Sequence, residues 1–290
     1  MFRVAYALCL FTALALPASA ADQPAISEST TEVTIPVAHT YREVEGRTLS
    51  AFVFALAEPS TTPSPAVVLA VGGAWTRGRP EQLFALARFF ASNGIVAVPV
   101  EYRLADKSNS PVESYDDICN AIAFLRRSAK QFAINPSRIA VWGNSSSGQV
   151  VAATSTVGCG SSEGSLVNGG PDALLLVSPV VDAVADGLFR QLMRGHGEPA
   201  SLSPTHTVRG RIAPTHITQG EADETTTLAR SQAFCTRVTT EGGKCEVLSF
   251  AGVAHVLDAV SRARSAEAQM LFLRQLWPHE QGANSTVRPH

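Results

Sequence analysis

The chain alternates short apolar segments with longer segments of helical periodicity, and this alternation constrains its fold more than any other feature. Residues 66–71 form an unbroken apolar run after a proline-rich segment, a pattern typical of a fully buried strand. Further strands are predicted at residues 32–37, 49–56, 95–100, 139–142, 173–177, 213–219 and 245–250. Helices are predicted at residues 80–93, 112–132, 149–157, 226–240 and 256–277. Strands separated by helices in this order predict an α/β fold, with a mostly parallel sheet covered by helices on both faces.

The first 20 residues have the layout of a cleavable secretory signal. Arg3 precedes an apolar run over residues 4–16, and a proline separates this run from the small residues 18–20. The run is shorter than the roughly 20 apolar residues that a membrane-spanning helix needs. We therefore expect a secreted or periplasmic protein with no integral membrane segment after cleavage. The mature chain is expected to form one domain over residues 21–290.

Charge and residue spacing exclude several classes of partner. The 290-residue chain has a formal net charge of −2 and contains no basic cluster. This balance argues against binding to nucleic acid or to an anionic membrane surface. The cysteines show no spacing typical of a metal site, and no metal or organic cofactor is implied. The sequence leaves the oligomeric state open.

Four cysteines remain after removal of the signal, an even number that suggests disulfides in an exported protein. Cys235 and Cys245 are predicted to pair, because they lie near the end of one predicted helix and the start of the following strand. Cys119 and Cys159 form the remaining pair only by elimination. Four free buried thiols are the alternative.

A serine-rich turn joins the strand at residues 139–142 to the helix that follows it. A nucleophilic serine at such a strand-to-helix turn needs small neighbours, because the turn is sharp and strained. Gly143 stands two residues before Ser145, but Ser147 occupies the position two residues after it, where this pattern usually has glycine. Ser145 is the predicted nucleophile. Ser146 is the weaker candidate, because Asn144 stands two residues before it.

A serine nucleophile needs a histidine base and an acid that orients it. In a fold of this type the acid and the histidine follow later strands. Asp223 comes after the strand at residues 213–219, and His255 comes after the strand at residues 245–250. Glu221 and Glu224 flank Asp223, and Asp182 follows an earlier strand, so these acids are alternatives. The other histidines are near the chain ends, in the 182–211 insertion or inside a strand: His39, His279, His290, His196, His206 and His216.

Glycines after the first buried strand predict an oxyanion hole, since they let backbone N–H groups approach a substrate carbonyl closely. The candidate loop is Gly72, Gly73 and Ala74, and the amide of Ser146 is the expected donor on the other side. Trp75 follows this loop and is a candidate for substrate binding.

Together these segments resemble α/β-hydrolase esterases, particularly the hormone-sensitive-lipase-like and feruloyl/acetylxylan-esterase-like branch. The resemblance covers residues 65–278 and rests on residues 71–75, 101–104, 135–139, 143–148, 220–223 and 252–255. It departs from the family pattern at Val71, where histidine is usual, and at Glu101, where aspartate is usual. Ser146 and Ser147 stand where the family usually has Ala-Gly. We expect Ser147 to crowd the turn at the nucleophile, which would slow catalysis or narrow the range of substrates.

The resemblance implies a serine carboxylic ester hydrolase that forms an acyl-enzyme. It also implies a small-molecule or carbohydrate-linked ester, often with a short acyl group, as substrate. We expect no large cap domain of the kind that some relatives have, and the insertion at residues 182–211 is predicted to form a small lid. Amidase, peptidase or acyltransferase chemistry with the same residues remains an alternative. A secreted binding protein that has lost catalysis is a second alternative.

Overall fold

A computed structural model describes residues 32–58, 60–160 and 169–278. Six parallel strands form the central sheet in the order β4-β3-β5-β6-β7-β8. Their bounds are β3 Ser64–Ala70, β4 Val96–Pro99, β5 Ile134–Asn144, β6 Ala173–Val177, β7 Thr215–Gly220 and β8 Cys245–Phe250. The helices are α1 Phe84–Ser92, α2 Pro111–Arg127, α3 Ser145–Thr156, α4 Gly187–Leu192, α5 Pro204–Thr207, α6 Leu228–Thr240 and α7 Ala259–Leu276. The prediction of a parallel α/β sheet is confirmed.

Strand β3 shows why the sheet is buried on both faces. Its alternate residues Ala66, Val68 and Ala70 belong to a core shared with α2, α3 and α6. Val67 and Leu69 point to the opposite face and pack in a core with α1 and α7. Because side chains alternate along a strand, an unbroken apolar run is what a sheet covered on both faces requires.

The carboxyl ends of the parallel strands lie at one edge of the sheet, where open α/β sheets bind ligands. The loop after β3 carries Gly72, the end of β5 leads into Ser145, and the loop after β7 carries Asp223. His255 follows β8 at the same edge. Four segments that are far apart in sequence therefore meet at one place.

The N-terminal strand prediction at residues 32–37 is wrong in position. An antiparallel hairpin instead pairs β1 Val37–Val44 with β2 Arg47–Val53. Glu45 and Gly46 connect the two strands with φ angles of 50° and 73°, the left-handed conformation that a tight two-residue hairpin turn uses. Residue 33 makes only an isolated bridge to Leu56.

Several helix and strand boundaries also differ from the predictions. Helix α3 begins at Ser145 rather than at residue 149, because the helix starts directly at the end of β5. Helix α2 ends at Arg127, five residues before the predicted end. Strand β5 begins at Ile134 and continues past Pro136, earlier than the predicted start at residue 139.

The insertion at residues 182–211 folds into short helices that pack on the body of the protein. Its side chains Phe189, Met193, Leu202 and Val208 are buried. The carbonyl of Leu202 accepts a hydrogen bond of 2.7 Å from Gln149 Nε2 on α3. The insertion is thus docked against the helix that carries the serine-rich turn, and lid movement stays a prediction.

Both disulfides are present, so the alternative of four free thiols is wrong. Cys235 pairs with Cys245 as predicted, and Cys119 pairs with Cys159. Their Cα atoms lie 5.1 Å and 5.4 Å apart, within the usual range for disulfides. The second disulfide ties α2 to the segment that follows α3.

The predicted signal at residues 1–20 lies outside the described residues. Within the three described ranges, no helix has both the length and the apolar character needed to cross a bilayer.

A buried ion pair stabilises the segment that follows β4. Arg103, which is 4% exposed, donates from Nε and Nη2 to the two oxygens of the fully buried Asp117 carboxylate at 2.9 Å and 3.0 Å. The Arg103 amide donates to the same carboxylate, and the Arg42 guanidinium contacts it from β1. This cluster joins the hairpin to α2.

We expect Asp117→Ala to destabilise the protein by about 3–5 kcal/mol, because Arg103 would remain buried without its counter-charge. Urea unfolding measures the change. The matched control is Arg47→Ala, which removes only the exposed pair with Asp106 and is expected to cost far less than the Asp117 variant. Equal losses in the two variants would contradict this assignment.

Candidate active site

Ser145 lies at a strained turn between β5 and α3. Its φ angle is +52°, a conformation that non-glycine residues rarely adopt and that turns the side chain out of the helix start. Small neighbours allow this turn. A Cβ atom on Gly143 would lie 2.7 Å from the Ser147 carbonyl, and one on Gly148 would lie 2.6 Å from Pro179 Cβ.

The structure brings Ser145, His255 and Asp223 into one hydrogen-bonded chain. His255 Nε2 lies 2.9 Å from Ser145 Oγ, and His255 Nδ1 lies 2.9 Å from Asp223 Oδ2. The histidine side chain is 25% exposed, whereas the aspartate side chain is fully buried. In this geometry the imidazole can take the serine proton while the carboxylate stabilises the charged ring.

The Asp223 carboxylate is held by donors from its own loop. The amides of Thr225 and Thr226 donate to Oδ1, and Gln219 Nε2 and the Thr226 hydroxyl donate to Oδ2. Burial acts to raise the pKa of Asp223, but the hydrogen bonds from Thr226 and His255 outweigh it, so this pKa lies below its ordinary value. The group therefore stays ionised and fixed in one orientation.

The acid and histidine loops are joined by backbone contacts. The Ala222 amide donates to the Val253 carbonyl at 2.9 Å. Gly220 makes this approach possible, because a Cβ atom there would lie 2.2 Å from the same carbonyl oxygen. The two loops thus place Asp223 and His255 as one unit.

The glycine loop after β3 is bonded to the serine turn. The Gly72 amide donates to Asn144 Oδ1 at 2.8 Å, and the Gly73 amide donates to Ser146 Oγ at 3.0 Å. Ala74 has a φ angle of +55°, and its amide has no acceptor within the described ranges. The prediction that Gly72 supplies an oxyanion donor is therefore wrong, because the Asn144 side chain occupies that amide.

The amide of Ser146 lies in the first turn of α3. The first four N–H groups of a helix have no partner within the helix, and the helix dipole favours negative charge there. Like the amide of Ala74, it has no hydrogen-bond acceptor among the described residues.

Trp75 is buried rather than presented to a substrate. It is 2% exposed, its ring packs 5.3 Å from that of Phe189, and its indole N–H donates to Gln149 Oε1 at 2.8 Å. These contacts correct the prediction of a substrate-binding side chain. The indole instead anchors the glycine loop to α3 and to the insertion.

Ser147 braces the turn. Its hydroxyl donates to the Ala70 carbonyl at 2.7 Å and accepts from the Asn144 amide at 2.9 Å. A serine at this position therefore joins the end of β3 to the end of β5. Sequence reasoning treated it only as a source of crowding.

Three of the alternative acids and histidines make other contacts. Glu221 accepts from the Ser249 hydroxyl, and Asp182 begins a short 3₁₀ turn in the insertion. His216 pairs with Glu246 at 2.8 Å inside the sheet. None of these side chains takes part in the Ser145–His255–Asp223 chain.

The sequence analysis did not identify three residues that support the site. Gln219 and Thr226 hold Asp223, and Asn144 holds the glycine loop. Asn144 was visible as the residue before the nucleophile. Gln219 had a weaker signal, a polar side chain at the end of an otherwise buried strand.

A scan against protein-family models matches BD-FAE, an α/β-hydrolase esterase family, to residues 54–186. This segment includes the glycine loop and Ser145 but ends before Asp223 and His255. Two solved structures of Thermogutta terrifontis esterase 2 cover 84% and 86% of this chain, and 95% and 97% of their own chains. Their TM-scores are both 0.77, at 24% and 25% sequence identity.

The chain has the α/β-hydrolase fold.

Relatives found by sequence match over shorter segments. An arylesterase of Saccharolobus solfataricus is 38% identical over 85 residues, which are 29% of this chain and 28% of the relative. A non-reducing polyketide synthase of Stachybotrys bisbyi is 29% identical over 121 residues, which are 39% of this chain and 6% of the relative. The chain thus spans well under two thirds of both relatives.

Gly72→Ala should disturb the contact between the glycine loop and the serine turn. The new Cβ would lie 2.3 Å from the Asn144 carbonyl oxygen, so the backbone must shift, at a cost of about 1–3 kcal/mol. Thermal unfolding measures the loss. Gly160→Ala is the matched control, since a Cβ there meets nothing within 4 Å; an unchanged Gly72→Ala protein would contradict the close approach.

Proposed function

We propose that this α/β-hydrolase is a serine carboxylic ester hydrolase that acts through an acyl-enzyme. The observation that carries the proposal is the hydrogen-bonded chain from Ser145 Oγ through the two nitrogens of His255 to Asp223. A serine is activated when a base accepts its proton and a third group orients that base. The similarity to an esterase family and to an arylesterase supports the same chemistry.

In the proposed mechanism His255 Nε2 takes the proton from Ser145 Oγ as the oxygen forms a bond to the ester carbonyl carbon. The carbonyl electron pair moves to its oxygen, which the amides of Ala74 and Ser146 stabilise. Collapse of this intermediate breaks the bond to the alcohol oxygen, which takes the proton from His255. Water, activated by the same imidazole, then releases the acid and restores Ser145.

The proposed substrates are esters with short acyl groups, including esters on carbohydrates. Structures of Thermogutta terrifontis esterase 2 are described as propionate bound and butyrate bound, which supports the short acyl group by similarity. The match to BD-FAE supports the same ester chemistry. No cofactor enters this mechanism.

We also propose that the protein is exported, to the periplasm or the exterior. The layout of residues 1–20 suggests this, and the two disulfides are compatible with an oxidising compartment.

Fluorophosphonate labelling tests the nucleophile without knowledge of the substrate. We expect the label on the Ser145 peptide and none in Ser145→Ala, because only a serine activated by His255 reacts rapidly. A folded wild-type protein that takes no label would overturn the hydrolase proposal in favour of a binding protein.

Asp223→Asn should lower the rate of ester hydrolysis by about 10⁴-fold through loss of the correct imidazole tautomer. Asp182→Asn is the matched control and should remain active.

A substrate panel tests the bond that is cleaved. We expect p-nitrophenyl acetate, propionate and butyrate to be hydrolysed faster than the octanoate, and acetyl p-nitroanilide to be hydrolysed far more slowly than the acetate. A comparable kcat/KM for the anilide would favour an amidase. Transfer of the acyl group to an added alcohol in preference to water would favour an acyltransferase.

A further inference from the structure

The hydroxyl of Ser146 lies beside the predicted oxyanion donors. The residue is 1% exposed, and its Oγ accepts the Gly73 amide at 3.0 Å. Its own amide belongs to the first turn of α3. One residue therefore contributes a backbone N–H and a hydroxyl next to the nucleophile.

The Ser146 hydroxyl has an unused proton. A serine hydroxyl has one hydrogen to donate and two lone pairs to accept with. Over the described ranges, Ser146 Oγ accepts from Gly73 but has no acceptor for its hydrogen. The neighbouring Ser147 hydroxyl, by contrast, donates to the Ala70 carbonyl at 2.7 Å. A buried donor without an acceptor is unfavourable unless another group satisfies it.

We propose that the Ser146 hydroxyl is a catalytic oxyanion donor, which acts with the amides of Ala74 and Ser146. This inference rests on the proposed ester hydrolysis and adds a side-chain donor to it. As the carbonyl oxygen of the ester gains negative charge, Ser146 O–H donates to it. The Gly73 amide donates to the same hydroxyl oxygen, which strengthens the hydroxyl as a donor because linked hydrogen bonds polarise one another.

The arrangement gives the Gly73 amide an indirect role. In the present structure this amide is already bonded to Ser146 Oγ, so it stabilises the oxyanion through the hydroxyl. The opposite possibility is that the hydroxyl blocks the Gly73 amide and must move away before the reaction. The two cases predict opposite effects of removing the hydroxyl.

The test compares Ser146→Ala with the wild-type protein in the hydrolysis of p-nitrophenyl acetate. We expect kcat/KM to fall by about 10- to 100-fold, at the lower end of the loss for an oxyanion donor because the amides remain. KM should change by less than about 3-fold, since the donor acts mainly in the transition state. Ser114→Ala is the matched control: it removes a fully buried hydroxyl bonded to the Arg103 carbonyl and should leave kcat/KM unchanged.

A second measurement separates catalysis from a general loss of structure. A trifluoromethyl ketone adds to a catalytic serine and places an oxyanion where that of the intermediate would lie. Its inhibition constant should rise in Ser146→Ala by about the same factor as kcat/KM falls. Ser146→Cys keeps nearly the same side-chain volume but replaces the hydroxyl by a thiol, which is a weak donor. Its kcat/KM should therefore fall as in Ser146→Ala, and it serves as the test variant if the alanine variant folds poorly.

Each outcome decides the proposal. Matching changes in kcat/KM and in the inhibition constant support it. Unchanged constants in a Ser146→Ala protein that still takes the fluorophosphonate label on Ser145 would overturn it and leave the proposed hydrolase intact. A faster Ser146→Ala enzyme would also overturn it, because the hydroxyl would then be blocking Gly73. A wild-type protein without label or turnover would remove this inference together with the proposed function.

Discussion

The parallel pairing of β3 with β5 is the contact on which the candidate site depends. It aligns Ala70 with Gly143, so the two strands end side by side. The glycine loop and the serine turn are 72 residues apart in sequence, yet the Gly72 amide donates directly to the Asn144 side chain. Close packing at this point requires small residues in both loops, because a Cβ atom on Gly72 or Gly143 would overlap backbone atoms.

The architecture and the three central side chains could be predicted because they leave local patterns. Buried parallel strands appear as unbroken apolar runs, and Ser145, Asp223 and His255 each follow one of them. Their order along the chain and their place after a strand limited the choice of partners. The structure brings them together with two distances of 2.9 Å, which no sequence pattern contains.

The contacts around these residues could not be predicted, since they depend on which polar groups meet across the fold. The sequence suggests that Gly72 and Gly73 are equivalent donors, yet one amide is bonded to Asn144 and the other to Ser146. Trp75 has an aromatic side chain beside the loop, but whether such a ring faces a substrate or the core depends on Phe189, more than 100 residues later. The hairpin was missed because its first strand, Val37–Val44, is mostly exposed and lacks the apolar run that marks a buried strand.

Gln149 connects three parts of the chain, namely the glycine loop, α3 and the insertion. Its side-chain oxygen accepts from Trp75 after the glycine loop, and its nitrogen donates to Leu202 in the insertion. Insertions of this kind usually vary in length and sequence more than the sheet does. Here an exchanged insertion must still supply a carbonyl at the position of Leu202, or a buried amide in the core loses its acceptor. This one side chain therefore limits which insertions could be grafted onto the fold without displacing the loop beside the nucleophile.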